Sequence, residues 1–171
     1  IHINNYTLVE SLEIEFASGT TAITGETGAG KSLVLDALGM ALGDRADTGT
    51  IRHGKDRAEI TATFDIAKID QAQAWLEQQD FRAEDQQCIL RRLYTTEGRS
   101  RGYINGQPCT MQQLQALGEM LTDIHSQHEH QSLLRRETHR RLLDEYCNAT
   151  VLADDVGAHF RAWHAADRKL A

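Results

Sequence analysis

The segment Gly25-Glu26-Thr27-Gly28-Ala29-Gly30-Lys31-Ser32 has the spacing G-x-x-x-x-G-K-[ST], and each fixed position answers a need of a bound polyphosphate. Gly25, Gly28 and Gly30 let the backbone take positive φ and approach a polyanion with no Cβ in the way, so that successive amides can point inward around a phosphate. Lys31 supplies a flexible point charge for the β- and γ-oxygens, and the Ser32 hydroxyl is a hard oxygen ligand for Mg²⁺. A Gly-rich turn before a buried helix would explain the glycines and the run Leu33-Val34-Leu35, but it gives no reason for Lys31-Ser32. The segment is therefore expected to bind a nucleoside triphosphate.

The elements around it must aim it. Thr21-Ala22-Ile23-Thr24 reads as a short strand delivering the loop at its carboxyl end, where α/β sheets place their ligands. A helix over residues 30–42, closed by Gly43, would direct roughly half a positive charge from its N-terminal end at the phosphates. Upstream, Ile1-His2-Ile3 and Leu12-Glu13-Ile14-Glu15-Phe16 alternate with period two, predicting an antiparallel pair joined by a turn around Asn4 and Asn5 or slightly later.

Downstream, residues 58–66 alternate again. This predicts a strand with one wet face and makes Asp65 a poor candidate for an Mg²⁺ aspartate. Asp70 is read as the cap of a short helix carrying Trp75 and Leu76. The stretches 88–94 and 100–104 form a hairpin across Thr96-Glu97-Gly98, and Asn105-Gly106 makes a second tight turn. Thr110 with Gln113 fits a capping box, and Met111, Leu114, Leu117 and Leu121 follow at helical spacing. From about Ala149, residues Leu152, Val156, His159, Trp163, Ala166 and Leu170 advance in steps of four and three, as a heptad seam would; an amphipathic helix packed on a core fits the same spacing.

Composition sets the bounds. In 171 residues, 40% hydrophobic and 25% charged, one respectable core can form. No run approaches a membrane span, and no basic-then-apolar leader opens the chain, so a cytosolic location is expected. Cys88, Cys109 and Cys147 are widely spaced and odd in number, which predicts reduced, structural thiols, and no metal site follows from them. A net charge of −7 argues against a surface that binds nucleic acid wholesale. Local basic clusters at residues 52–57, at Arg91-Arg92, at Arg99 with Arg101, and at Arg135-Arg136 with Arg140-Arg141 are candidates for DNA contact, though interspersed acids favour solvated faces. The chain opens on Ile1, inside a predicted strand, and reads as a piece of something longer.

A phosphate loop alone does not choose among ATPases, GTPases and kinases, all of which need an acid on a neighbouring strand to hold Mg²⁺. The nearest approach, Glu119-Met120-Leu121-Thr122-Asp123, continues a helical pattern. The binding half of a site is legible and the hydrolytic half is not.

Taken with the phosphate loop, Leu-Asp-Ala-Leu at 35–38, Gly-Asp-Arg-Ala-Asp at 43–47, Ile-Arg-His-Gly at 51–54, Gly-Arg-Ser-Arg-Gly-Tyr-Ile-Asn-Gly at 98–106 and Asp-Ile-His-Ser-Gln-His-Glu-His-Gln at 123–131 resemble the RecN family of bacterial DNA repair ATPases. That family is related to structural maintenance of chromosomes (SMC) proteins. The resemblance implies an α/β fold, the N-terminal lobe of an ABC-type P-loop ATPase head with an antiparallel β subdomain and the start of a coiled coil. Residues 1–148 would be the lobe and residues 149–171 the coil. It further implies that residues 25–32 are the Walker A loop for ATP and Mg²⁺, and that Gln127 is the Q-loop glutamine contacting Mg²⁺ and the attacking water, with Gln131 the second choice. The signature motif, Walker B aspartate and catalytic glutamate would lie in a C-terminal lobe of the same protein. Hydrolysis would then need that lobe, and two heads would sandwich ATP as a head-to-head homodimer. The resemblance also implies DNA as a partner of the whole protein, a role in double-strand break repair by recombination, and a cytoplasmic, nucleoid-associated location.

Two other readings compete. A self-contained P-loop kinase or GTPase would turn over alone and carry its own Mg²⁺ aspartate. A nonenzymatic association module would dimerise through the heptad tail regardless of ATP. His125, His128 and His130, with Asp123 and Glu129, also suggest a metal cluster, but the order is not H-E-x-x-H, and one loop does not easily wrap three such side chains around an ion.

Overall fold

The computed structural model describes residues 1–26, 30–81, 85–122, 124, 136–147 and 149–170, which fall into two compact units, Ile1–Ile124 and His125–Ala171. The first unit is built on six strands: β1 (His2–Tyr6), β2 (Val9–Glu13), β3 (Arg57–Asp65), β4 (Gln87–Thr95), β5 (Ser100–Ile104) and β6 (Gln107–Cys109). They form one sheet in the order β2-β1-β3-β4-β5-β6, antiparallel at every pairing. Helices α1 (Lys31–Ala41) and α3 (Met111–Leu121) lie against one face, α1 over β3 and β4 and α3 over β5, with α2 (Asp70–Gln78) against α3.

Alternation creates that covered face. In β3 the even positions Ala58, Ile60 and Ala62 are buried, and in β4 the even positions from Cys88 to Tyr94 are. Two apolar clusters result. Ile3, Tyr6, Ala37, Met40, Ile60 and Tyr94 pack under α1, while Leu76, Cys88, Leu90, Ile104, Leu114 and Leu117 pack under α2 and α3. Each fully buried leucine or isoleucine contributes about 1.5–3 kcal/mol. Asn5 holds a left-handed backbone (φ 52), which interrupts the alternation of β1 so that both Ile3 and Tyr6 face the core; Asn tolerates that conformation better than most residues. Gly118 lets α3 approach the end of α1, because a Cβ there would stand 2.9 Å from the Leu42 carbonyl oxygen.

Most expected elements are present, with shifted bounds. The β1–β2 turn falls after Tyr6, at the later of the expected places, and the Asn105-Gly106 turn has both residues at positive φ (49 and 80). The capping box is complete: the Gln113 amide donates to Thr110 Oγ1 (3.2 Å) and the Thr110 amide donates to Gln113 Oε1 (3.0 Å).

Three expectations fail. Residues 21–24 join no strand and Ile23 is exposed, since an extended segment becomes a strand only beside a hydrogen-bonding neighbour, and none of the six strands adjoins it. Ile14-Glu15-Phe16 likewise extends past β2, which ends at Glu13. Asp70 is the first residue of α2 and not its cap; Ile69 holds that position with no side-chain hydrogen bond.

The second unit consists of α4 (Arg136–Tyr146) and α5 (Thr150–Leu170). The sequence pattern had predicted α5 but not α4. Among the described residues no helix is long and apolar enough to cross a membrane.

Candidate nucleotide-binding site

The start of α1 is left open by its own sequence. Its N-cap is Gly30, in a left-handed conformation (φ 84, ψ 13) that supplies no side-chain cap, and no acidic residue occupies the first turn. The amides and positive dipole end of the helix are thus not answered by a side chain of this terminus, the condition under which a helix start attracts an anion. Lys31 reinforces it. The ammonium folds back over the preceding loop, donating to the Gly25 carbonyl and to the Glu26 carbonyl (2.7 Å). An ammonium has three donors, so two of them tether Lys31 across the turn and one remains for a ligand. Ser32, next on the helix, is exposed. A pinned cation, an uncapped helix start and an accessible hydroxyl suit a polyphosphate with its hydrated Mg²⁺.

What holds this arrangement in place is the buried side of α1. Val34, Ala37, Met40 and Ala41 face the sheet, and the wall beneath them is tied by Thr50 Oγ1 and the Tyr94 hydroxyl, 2.8 Å apart. Burial, with Tyr94, Asp36 and Asp47 nearby, pushes the Tyr6 hydroxyl far above its ordinary pKa, and burial likewise raises Tyr94. Both phenols stay neutral at any physiological pH. Asp47 accepts from the Gly49 amide (2.8 Å), fixing the short turn that follows α1.

The other sequence candidates are distributed as follows. Gly25, Glu26, Gly30, Lys31 and Ser32 lie together at the head of α1. Thr27, Gly28, Ala29, Gln127 and Gln131 lie outside the described residues, as does the cluster of His125, His128, His130, Asp123 and Glu129. Among the described residues no group of His, Cys, Asp and Glu could hold a metal. Asp65 is engaged in its own turn, accepting from the Ala67 amide (2.9 Å). Arg52 donates to the Leu8 carbonyl and lies 3.7 Å from Glu10, so it is pinned to the β1–β2 turn and is not a free loop arginine.

Arg92 corrects the reading of the pair Arg91-Arg92 as one solvated patch. It is 3% exposed, donates Nε to Ser100 Oγ (2.8 Å), and its Nη1 has no hydrogen-bond partner. Burial lowers its pKa, opposed by the charges of Cys109 and Asp44 and by Tyr94. The signal was available: strand alternation puts residue 92 on the same face as Leu90 and Tyr94.

The chain matches the family described as AAA domain over residues 1–144. It is 41% identical over 170 residues to the DNA repair protein RecN of Vibrio cholerae, covering 99% of this chain and 30% of that protein. To the RecN of Xylella fastidiosa it is 44% identical over 163 residues, covering 95% and 29%. The chain therefore spans under a third of the length of these curated relatives. Among solved structures it is similar to one described under "ATP-driven dimerization and DNA stimulated activation of SMC ATPases" (TM-score 0.60, 22% identity, 84% of this chain and 95% of that one). It is also similar to an Smc head domain with an extended coiled coil from Pyrococcus furiosus (TM-score 0.56, 22% identity, 70% and 31%). At these identities the structures speak for the fold, which is the N-terminal lobe of a P-loop ABC-type ATPase head.

Proposed function

The chain belongs to the AAA domain family and corresponds along its length to the N-terminal head lobe of RecN-type, SMC-related proteins; on that premise we propose that it is the ATP-binding lobe of an ATPase acting in recombinational repair of DNA double-strand breaks. The observation that carries the reading is the tether of the Lys31 ammonium to the Gly25 and Glu26 carbonyls at the uncapped start of α1. In this role Gly25 to Ser32 form the Walker A loop, Lys31 grips the β- and γ-phosphates, Ser32 ligates Mg²⁺ and Gln127 senses the γ-phosphate and positions water. Residues 1–148 act as the lobe and residues 149–171 begin a coiled coil.

The chain's own residues bind and orient the triphosphate. Lys31 offsets its charge without moving a proton, and the helix start adds fixed dipoles at no cost in reorganisation. Hydrolysis is assigned to a composite with the C-terminal lobe of the same protein, because the sequence of this chain offers no apolar strand ending in an acid to hold Mg²⁺. Binding energy from ATP would close two heads into a dimer, and hydrolysis would reopen it. The whole protein would work on DNA in the cytoplasm, at the nucleoid.

Titration of this polypeptide with ATP and Mg²⁺ tests the reading. Lys31→Ala should weaken binding at least ~10-fold, since a charge-assisted contact is worth about 1.5–3 kcal/mol, and steady phosphate release should be absent in both proteins. Equal affinity in the two would refute the site. Sustained turnover abolished by Lys31→Ala would instead identify a self-contained P-loop enzyme.

A further inference from the structure

Helix α2 ends on a turn that shapes a cavity. The Phe81 amide donates back to the Leu76 carbonyl (2.8 Å) and the Asp80 amide to the Glu77 carbonyl (3.2 Å), the paired bonds of a Schellman stop, with Asp80 in the left-handed conformation (φ 62). Phe81 is thereby turned into the core, 5% exposed, where its ring stacks on Trp75 with centroids 6.0 Å apart. At the other end of the helix the Ile66 amide donates to the Gln86 carbonyl (2.9 Å) and Gln73 Nε2 donates to the Ile66 carbonyl (2.6 Å), closing the neck by which the chain leaves the sheet after β3 and returns to it before β4. Between these fastenings lies a cavity of about 410 Å³.

Its lining has three parts. Ile66, Leu76 and Phe81 form a buried, apolar base. Gln73 stands in the wall with its side-chain nitrogen engaged at Ile66, which leaves Oε1 as an acceptor with no hydrogen bond among the described residues. Glu77 and Asp80 are exposed at the mouth, three residues apart and so on one side of the helix end. Among the described residues neither carboxylate is in an ion pair, and no cation lines the cavity.

We propose that this cavity receives an arginine side chain that a partner protein presents beside an apolar residue. Charge and donor complementarity carry the argument: Glu77, Asp80 and Gln73 Oε1 offer only acceptors, and a guanidinium has five donors in a fixed fork and no acceptor. The aliphatic stem of the arginine and its apolar neighbour lie on the base formed by Ile66, Leu76 and Phe81, as the stems of long cationic side chains do on apolar surface. The same carboxylates repel phosphate, which sets this place apart from the nucleotide site and from nucleic acid. With both carboxylates exposed, the mouth is open for a main chain to pass across it, so the ligand is a peptide segment and not a free amine. The volume falls within the roughly 300–1,000 Å³ usual for ligand pockets, and walls already held by hydrogen bonds need little ordering on binding. The end of α2 points the same way. Glycine would take the left-handed position at no steric cost, whereas Asp80 adds a carboxylate at the mouth. The inference goes beyond the ATP-binding reading and does not rest on it.

The test is an NMR titration of the ¹⁵N-labelled 171-residue chain with the peptide acetyl-Leu-Arg-Leu-amide, carried to about 10 mM so that the weak affinity of a single pocket is read. Saturable shifts should centre on the Gln73 side-chain amide and on the backbone amides of Glu77, Asp80 and Phe81, and acetyl-Leu-Gln-Leu-amide should produce none. The chain carrying both Glu77→Gln and Asp80→Asn, in which asparagine keeps the left-handed backbone, should bind the arginine peptide about fivefold more weakly, since two exposed ion pairs are each worth a factor of about two to three. ATP affinity should be the same in both proteins. No saturable shift, or equal shifts with the glutamine peptide, overturns the proposal and leaves the ATP site standing. Tighter binding of spermidine at the same residues makes this a site for free polyamines and overturns the choice of a peptide. Self-association of the unliganded chain that the double substitution removes makes a second copy the occupant and also overturns it.

Discussion

The two units of this chain handle apolar surface in opposite ways. In the first, Ile3, Ile60, Leu90, Ile104, Leu114 and Leu117 are all 0% exposed, shut between a sheet face and its helices. In the second, Leu143, Tyr146, Val151, Leu152, Val156, Phe160 and Trp163 are 57–86% exposed, although they are as apolar as the first set. Phe160 and Trp163 touch each other along α5 with ring centroids 5.7 Å apart, which shields only part of either ring. The first unit closes its own core; in the second, α4 and α5 touch each other but leave these side chains largely exposed. The lesson is that hydrophobic spacing marks the side of a helix that will be buried and says nothing about whether the same chain buries it.

The sharpest way to break this contrast is a matched pair of truncations. Leu90→Ala should cost about 2–5 kcal/mol in denaturant unfolding, because the sheet cannot collapse onto the gap. Val156→Ala should stay within about 0.5 kcal/mol, as for surface positions. Equal costs would mean that α5 is packed in solution.

Next in size is a pH effect confined to the first unit. Burial pushes the Cys88 thiol from its ordinary value near 9 up to about 12, and Cys109 up to about 11. The folded state holds these protons more tightly than the unfolded chain. Their contribution is therefore complete below pH 9 and is lost as pH rises toward the folded values. For Cys88 the loss is about 1.4 kcal/mol per pH unit in that window. Comparing unfolding at pH 8 and pH 10, Cys88→Ala should flatten the decline by about that amount; an unchanged slope would show the thiol to be accessible.

The smallest effect sharpens the account of how α3 is anchored. Thr110→Ala removes the acceptor for the Gln113 amide and should cost ~1 kcal/mol, read from the same melts. A neutral result would mean that packing of Leu114 and Leu117 alone fixes the start of the helix.

Local chemistry was the legible part of this protein. Helix α1, the β4–β5 hairpin, the Asn105-Gly106 turn and the Thr110 capping box each depend on residues within a few positions of one another, and short-range backbone preferences decide them. Residues 21–24 show the opposite: β-branched residues and a good position before the loop do not make a strand without a neighbour to accept its hydrogen bonds. Helix α4 escaped notice because its residues, Arg136 to Tyr146, are mostly polar and charged, leaving few apolar side chains to mark its face.

The order of residues by itself determined that a cation and a hydroxyl follow a glycine turn at a helix start, and that two stretches would be amphipathic. Only the tertiary structure decided which amphipathic face finds a cover, and that β3, β4 and β5 bring their arginines into one sheet. The reason is physical. Backbone dihedrals and capping bonds are settled within a turn or two of chain, whereas burial and the company a charge keeps depend on strands brought together from positions tens of residues apart.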